Sequence, residues 1–353
     1  MTHRLEKDFL GEVRVPADAY YGIFTQRAKQ NFPISGIHAD RSFIHALGLV
    51  KLACAQANKE CGKLDARTAD AVAKAARELA EGKFDGEFIL DVYQAGAGTP
   101  FNMNANEIIA NRANELLDNN SNNDSRGKRG EYKPVHPNDT ANASQSSNDV
   151  IPTAIRVAGV LEVRDLIRET RELSKSFTAK SREYAKLIKV GRTHLQDAVP
   201  ITLGQEFASY ASALEKDAVF LEQGFDSLRE LGIGGTAIGT GVNAPHGFSE
   251  KGVKHLSKET SIEFRVTRDK IDLTRNANDF THASASLRNL AITLVRISND
   301  LKLMASGPKA GFNEITLPEV EPGSSIMPGK VNPSVPECVE MIGLQAIGLD
   351  SVI

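Results

Sequence analysis

The chain has 353 residues, 41% of them hydrophobic, and a formal net charge of −3 because 42 basic residues nearly balance 45 acidic ones. That balance excludes the basic footprint of a nucleic-acid-binding protein and the cationic face of a protein bound to membrane surfaces. A chain of this length exceeds the usual size of one core, so two domains or one elongated helical domain are expected.

No apolar run approaches the roughly 20 residues that a membrane span needs. The first residues, M-T-H-R-L-E-K-D, are charged and lack the apolar core of a signal peptide, so we expect a cytoplasmic location. The cysteines Cys54, Cys61 and Cys338 are odd in number and do not have metal-ligand spacing. We expect buried free thiols rather than disulfides or a zinc site.

The N-terminal part mixes two kinds of pattern. Residues 1–40 combine glycine, proline and aromatic side chains, which favours turns and short extended segments over a long helix. Apolar residues then recur at three- and four-residue intervals over 43–57 and again over 69–80, which predicts two helices. The stretch Q-A-G-A-G-T-P-F-N-M-N-A-N-E precedes another such run and places Thr99 near a helix N-terminus. Thr99 there either caps the helix or helps to bind an anion.

Residues 119–133, N-N-S-N-N-D-S-R-G-K-R-G-E-Y-K, are too polar to bury apolar area, so we interpret them as an exposed insertion. Three long helical patterns follow, from Pro152 to about residue 189, from 203 to about 231, and from about 276 to 304. Pro152 suits the first turn of its helix because proline has no N–H to satisfy.

A last helical pattern begins after Pro336. Three long helices of similar length predict a mainly α fold, an elongated long-helix bundle. We expect residues 1–140 to form a smaller N-terminal domain and residues 141–353 to form the bundle domain.

Polar motifs lie beside the long helices. The motif S-Q-S-S-N-D puts Ser146, Ser147 and Asn148 before the first long helix, where such groups either cap the helix or bind a carboxylate. The motif G-R-T-H-L-Q-D-A carries Thr193 and His194 at a predicted turn between helices. A histidine flanked by polar residues at such a turn indicates a ligand contact more than a structural role.

The glycine-rich stretch G-I-G-G-T-A-I-G-T-G, residues 232–241, is not a dinucleotide-binding fingerprint. The pattern G-x-G-x-x-G would require glycine where Ala237 stands, and the preceding pattern is a helix rather than a strand. We interpret it as a closely packed turn, with Thr236 and Asn243 as further candidates for the site.

The segment 323–333, G-S-S-I-M-P-G-K-V-N-P, has the composition of a shaped loop. Backbone N–H groups in glycine-rich turns form concave anion sites, and Lys330 adds a positive charge. The same donors would stabilise an alkoxide, so Ser324 or Ser325 is a candidate base, and an ordinary solvated turn is the alternative. A phosphate-binding P-loop is excluded because Val331 stands where that motif needs serine or threonine.

Together these motifs resemble the aspartase/fumarase superfamily, over about residues 5–350. In that family the first serine of the pair removes a proton from the carbon next to a carboxylate, and this serine matches Ser324. The resemblance implies that Lys330 and His194 act with Ser324 as catalytic residues. The substrate-binding residues that it implies are Thr99, Ser146, Ser147, Asn148, Thr193, Ser325 and Asn332. We expect no cofactor and no metal.

The resemblance implies a small four-carbon dicarboxylate substrate and leaves two reactions open. The segments D-A-Y-Y-G, G-A-G-T, D-A-V-P and V-P-E are similar to aspartate ammonia-lyases, whereas H-P-N-D, Q-S-S-N-D and G-G-T-A are similar to class II fumarases. Pro100 departs from both patterns. We favour ammonia elimination from L-aspartate, because G-A-G-T would lie near the group that differs between the substrates. An inactive structural or binding member, like the lens crystallins of this superfamily, is a third possibility.

The resemblance also implies an assembly. Four chains of such enzymes pack their long helices side by side, and each active site takes its segments from three chains, so we expect a homotetramer. Enzymes of this kind continue after the last helix with a further long helix and a small C-terminal domain. We therefore expect a C-terminal part to be absent from this chain, which would leave apolar bundle surface uncovered.

Overall fold

The computed structural model describes residues 2–118 and 129–353, so most of the segment predicted as an insertion lies outside the described residues. The chain forms two compact units: Met1–Glu162 with Leu228–Asn276, and Val163–Ser227 with Ala277–Ile353. We call them unit 1 and unit 2. The domain boundary expected at residue 140 stays a prediction.

Unit 1 begins with an antiparallel pair of strands, β1 (His3–Asp8) and β2 (Gly11–Pro16). These are short extended segments of the kind predicted for residues 1–40. Helix α1 (Ile23–Asn31) follows, and the sequence did not predict it. No local side chain caps its start. Instead Glu107, 82 to 85 residues further on, accepts N–H groups of Gly22, Phe24 and Thr25. A cap so distant in sequence leaves no local signal for the helix.

The next helices are those that the apolar periodicity predicts: α2 (Arg41–Glu60), α3 (Ala66–Ala80) and α4 (Thr99–Asp118). Asp40 caps α2 by accepting the N–H of Ser42 at 2.8 Å, and Asp65 caps α3 by accepting the N–H of Thr68 at 3.0 Å. Six of the nine buried residues of α3 are alanines, whose small side chains let α3 pack closely on α2.

Helix α5 (Ser147–Glu183) has 37 residues, its first part in unit 1 and its remainder in unit 2. It begins earlier than predicted, so Pro152 lies in its second turn rather than its first. It also ends earlier, because residues 188–193 form a strand. This strand, β3 (Ile188–Thr193), pairs in antiparallel fashion with β4 (Gln196–Thr202).

The chain continues with α6 (Leu203–Asp226), strand β5 (Glu230–Leu231), α7 (Phe248–Thr260), strand β6 (Arg265–Val266), α8 (Lys270–Arg275), α9 (Asn278–Met304) and α10 (Ser334–Asp350). Strands β5 and β6 pair in parallel within unit 1. The boundaries of α6, α9 and α10 lie within a few residues of those that the sequence predicts.

In unit 2, α6 and α9 pack on each other and α9 packs on α10. The core comes from the aliphatic stripes of these helices, for example Leu214, Leu221, Leu290 and Ile297. Gly343 lets α10 approach closely, since a Cβ there would lie 2.5 Å from Cγ2 of Val295. The predicted mainly α fold with long packed helices is confirmed.

The three thiols are free, but only Cys54 is buried; Cys61 is half-buried and Cys338 is exposed, so the expectation of burial was wrong for two of them. In residues 2–118 and 129–353, no helix is both long and apolar enough to cross a membrane. Over the same ranges, no group of three or more His, Cys, Asp and Glu side chains could hold a metal ion.

Candidate active site

The starts of α4 and α5 meet in unit 1 and bring four predicted substrate-binding residues near one another. Thr99 is the first residue of α4, and Ser147 is the first residue of α5. Asn102 in the first turn of α4 donates a hydrogen bond from Nδ2 to Oγ of Ser147, at 3.2 Å. Gly98 permits this approach: it has φ +67°, and a Cβ there would lie 2.9 Å from Cγ2 of Ile151.

Each hydroxyl group at the start of α5 accepts a hydrogen bond from the protein and can donate its own hydrogen to a ligand. Oγ of Ser146 accepts the N–H of Asn148 at 3.3 Å, and Oγ of Ser147 accepts from Asn102. A hydroxyl that accepts from the protein keeps its own hydrogen to donate. Both serines and Asn148 are half-buried. The arrangement suits a carboxylate near the N-terminus of a long helix, where the helix dipole also favours negative charge.

A buried carboxylate fixes this turn to the glycine-rich stretch. Asp149 is 2% exposed and accepts N–H groups from Ser146 at 2.9 Å, Gly234 at 3.0 Å and Thr236 at 2.9 Å. Burial raises the pKa of Asp149 to about 6, and these donors act against the rise. Asn148 adds a hydrogen bond from Nδ2 to the carbonyl of Ala237, at 2.7 Å. The glycine-rich stretch therefore packs against the start of α5, a contact that the sequence analysis did not specify.

A buried lysine lies behind the same turn. Lys51 of α2 is 1% exposed and donates to Oδ1 of Asn142 at 2.9 Å and to Oε1 of Gln145 at 3.0 Å. Burial lowers the pKa of Lys51 to about 7, while the nearby Cys54 and Asp149 act to raise it. The sequence reasoning did not select Lys51. The available signal was one lysine among the apolar residues of α2.

In unit 2, Thr193 and His194 lie at the end of a β-hairpin and not between helices as predicted. Thr193 pairs with Gln196, and the two residues between them, His194 and Leu195, have φ of +53° and +62°. Such left-handed pairs form the tight turns that match the twist of two antiparallel strands. Both Thr193 and His194 are exposed. The turn presents the imidazole to the surroundings rather than burying it in a core.

An ionic cluster supports this hairpin. Lys189 lies 2.7 Å from Glu206 and 2.8 Å from Glu314, and the guanidinium of Arg192 pairs with Glu314. Arg192 also covers the ring of Phe312, 4.0 Å from its centroid. His194 lines a cavity of about 360 Å³ within unit 2, together with Lys189, Arg192 and Glu206 of this cluster. Glu314 thus ties the chain after α9 to the strand that carries Thr193.

The loop 323–333 folds around Ser324. Oγ of Ser324 accepts the N–H groups of Ile326 at 3.2 Å and Met327 at 3.1 Å. The loop is closed by a hydrogen bond from the N–H of Gly323 to the carbonyl of Lys330, at 2.8 Å. Backbone donors around a serine are the arrangement that the sequence reasoning anticipated for this loop.

Three other residues of the loop were predicted to be in the site: Ser325, Lys330 and Asn332. Asn332 donates from Nδ2 to the carbonyl of Gly323 at 3.0 Å, so part of its side chain closes the loop. Ser325 and Lys330 are exposed. Within the described residues, the side chain of Lys330 makes no hydrogen bond or ion pair.

The predicted site residues therefore form two sets. Thr99, Ser146, Ser147 and Asn148 lie together in unit 1, whereas the other six belong to unit 2. Among the residues that the structure describes, no hydrogen bond joins Ser324 to His194. Thr236 is buried and gives its N–H to Asp149, whereas Asn243 is exposed with φ +71°. A role for Thr236 and Asn243 in the site stays a prediction.

The fold and these helix-end motifs define a class of protein: a family model described as a lyase matches residues 11–348, so the chain belongs to that lyase family. Within it, the chain is 46% identical over 351 residues to a class II fumarate hydratase of Ralstonia nicotianae, covering 99% of this chain and 74% of the relative. It is 45% identical over 350 residues to an aspartate ammonia-lyase of a Bacillus species, covering 99% and 73%.

A solved structure gives the same result. The fumarate lyase:delta crystallin from Brucella melitensis, bound to cobalt, has a TM-score of 0.93 and 45% sequence identity. The match covers 99% of this chain and 75% of that one. The protein is a lyase of the aspartase/fumarase superfamily, and its relatives divide between the two activities that the sequence left open.

Proposed function

We propose that this lyase eliminates ammonia from L-aspartate to give fumarate, with Ser324 as the base. The observation that carries the proposal is the pair of backbone N–H groups, of Ile326 and Met327, on Oγ of Ser324. A serine hydroxyl is a weak acid in water. Two amide donors and the positive charge of Lys330 in the same loop would stabilise its alkoxide.

The reaction then proceeds by transfer of one proton and loss of one leaving group. Oγ of Ser324 takes the proton from the carbon beside one carboxylate, and the electron pair of the broken C–H bond moves into that carboxylate as a doubly charged aci form. This pair next forms the carbon–carbon double bond as the C–N bond breaks. The ammonium group leaves as neutral ammonia with the C–N pair. Lys330 and Asn332 are assigned to stabilise the aci-carboxylate. His194 is assigned to orient the carboxylates and the amino group of the substrate.

Binding of the substrate is assigned to the other residues. The hydroxyls of Ser146 and Ser147 can donate to a carboxylate at the start of α5, and Thr99 lies at the start of α4. Nδ2 of Asn148 is already used by Ala237, so its Oδ1 is the atom available to accept from an ammonium group. Thr193 and Ser325 complete the proposed donor set.

A homotetramer with sites shared among three chains is part of the proposal. The proposed residues divide into a set in each unit, and helix α10 exposes the apolar side chains of Met341, Ile342, Leu344 and Leu349. An exposed apolar row on a helix favours association.

The second candidate is the dehydration of malate. It is favoured by the similarity to the Ralstonia nicotianae fumarate hydratase and by the segments H-P-N-D, Q-S-S-N-D and G-G-T-A. The preference for aspartate rests on the G-A-G-T segment that ends at Thr99. An inactive structural or binding member of the superfamily is the third candidate.

The deciding experiment compares ammonia release from L-aspartate with fumarate formation from malate. Activity on malate alone would replace the first candidate by the second, and activity on neither would favour the inactive one. Ser324→Ala should lower kcat by about a thousandfold or more, because a general base contributes up to about 10⁴, while dicarboxylate binding persists. Ser176→Ala, an exposed serine of α5, is the matched control. A fully active Ser324→Ala enzyme would remove the proposed base.

A further inference from the structure

Four residues of unit 1 form a continuous hydrogen-bonded chain behind the proposed carboxylate site. Nζ of Lys51 donates to Oδ1 of Asn142 at 2.9 Å. Nδ2 of Asn102 donates to the same oxygen at 3.2 Å and also to Oγ of Ser147 at 3.2 Å. Nδ2 of Asn142 is held separately by the carbonyl of Gln145, at 3.3 Å. The chain therefore runs from a buried lysine to a hydroxyl at the proposed site.

Lys51 and the carbonyl of Gln145 together set the direction of the bonds in the chain. Nζ of Lys51 donates and the carbonyl of Gln145 accepts, so Asn142 turns its oxygen towards Lys51 and its nitrogen towards Gln145. Asn102 must then present its amide hydrogens, one to Asn142 and one to Ser147. Because the oxygen of Ser147 accepts from Asn102, its hydrogen remains for another acceptor. Without these neighbours the side-chain amide of Asn102 could rotate so that its oxygen faced Ser147. The Ser147 hydroxyl would then donate to Asn102 instead of to the substrate.

We propose that Lys51 is a positioning residue, which acts through Asn142 and Asn102 to keep the Ser147 hydroxyl as a donor to the substrate carboxylate. The proposal deepens the proposed function and rests on the assignment of Ser147 to substrate binding. The carbon chain and amino group of Lys51 are buried on α2, so Lys51 acts without touching the substrate.

The burial of Lys51 distinguishes it from an ordinary surface lysine. A lysine on the same helix, Lys59, pairs at 2.7 Å with Asp70 and has a side chain that is 34% exposed. In contrast, the two hydrogen bonds of Lys51 go to neutral amide oxygens, those of Asn142 and Gln145. A buried amino group that donates to two neutral amides fixes their orientation, which an apolar side chain of similar length cannot do.

The test is a double-mutant cycle read out by calorimetric binding of succinate, a four-carbon dicarboxylate without a leaving group. Lys51→Met should weaken binding about tenfold, the range for a hydrogen bond to a charged group. In the Ser147→Ala background, Lys51→Met should change binding little, because the residue through which it acts is gone. Lys59→Met is the matched control and should bind succinate as the wild type does.

The outcomes separate the two proposals. Unchanged succinate binding by a folded Lys51→Met protein would overturn the positioning role, as would an equal loss in both Ser147 backgrounds. A wild type that binds succinate but has no lyase activity would overturn the proposed function and leave the positioning role intact. Should Lys51→Met fail to fold, Asn102→Leu interrupts the chain one step nearer Ser147 and must give the same non-additive pattern.

Discussion

Single residues that accept several backbone N–H groups shape the proposed site of this lyase. Asp149 joins the start of α5 to the glycine-rich stretch by accepting three N–H groups. Its motif was visible in the sequence, but its role was not, because two of its donors, Gly234 and Thr236, are 85 and 87 residues away. Lys51 was overlooked for the same reason: its partners Asn142 and Gln145 are 91 and 94 residues away.

Asp91, which precedes Thr99 in the chain, likewise accepts several backbone N–H groups. It is 7% exposed, and it accepts N–H groups of Ser35 at 2.6 Å, Gly36 at 2.7 Å and Tyr93 at 2.8 Å. Burial by itself would raise the pKa of Asp91, but these donors hold it well below its ordinary value of 3.8. The ionised carboxylate therefore stabilises the segment that leads into α4.

A lowered pKa makes this stabilisation depend on pH. The folded state holds the proton of Asp91 less tightly than the unfolded state, so the contribution is complete above the unfolded pKa of 3.8 and is lost as pH falls through the folded pKa. We expect Asp91→Asn to lower the free energy of unfolding at neutral pH, with a difference from wild type that narrows below about pH 4. Urea unfolding at several pH values measures this, and a constant difference would contradict it.

At the scale of elements, the closeness of α2 and α3 depends on one glycine. A Cβ at Gly48 would lie 2.6 Å from the backbone nitrogen of Ala80, which is closer than van der Waals contact. Gly48→Ala should therefore lower the free energy of unfolding by about 2 kcal/mol, because overpacking outweighs the gain of about 1 kcal/mol in helix propensity.

Helix α7 offers a matched control. A Cβ at Gly252 would lie 3.9 Å from Cβ of Ala57, an ordinary contact, and Gly252 is also buried in a helix. Gly252→Ala should leave stability unchanged or raise it by up to about 1 kcal/mol. Equal effects of the two substitutions in thermal unfolding would show that the approach of α2 to α3 is not limiting.

The elements that the sequence predicted were those with a local signal. Helices α2, α3, α6 and α9 have regular apolar stripes, and such stripes do not depend on distant residues. The hairpin of β3 and β4 was missed because its apolar residues continue the helical pattern of α5. Its strands are stabilised by pairing with each other, which local periodicity does not record.

At the scale of the whole molecule, the proposed sharing of sites among chains predicts complementation. Ser147→Ala and Ser324→Ala proteins should each be nearly inactive. If each site takes Ser147 and Ser324 from different chains, tetramers assembled randomly from equal amounts of both should regain roughly one quarter of wild-type activity. In such a mixture some sites receive both intact serines.

Co-refolding the two variants and assaying the mixture measures this recovery. The separate proteins, mixed without unfolding, are the control, since chains that do not exchange form no hybrid sites. A co-refolded mixture as inactive as its components would place each site within one chain.

The sequence by itself determined the helical class, the positions of most helices and the superfamily, because these depend on local periodicity and short motifs. The same motifs supplied the proposed site residues, which stay a prediction. Only the tertiary structure decided which distant side chains cap the helices and which side chains are joined by hydrogen bonds. The helix α1 exists because a distant carboxylate, that of Glu107, satisfies its first N–H groups. The direction of the hydrogen bonds from Lys51 to Ser147 likewise depends on residues brought together from α2, α4 and the start of α5. Hydrogen-bond partners so far apart along the chain leave no pattern in the sequence near either of them.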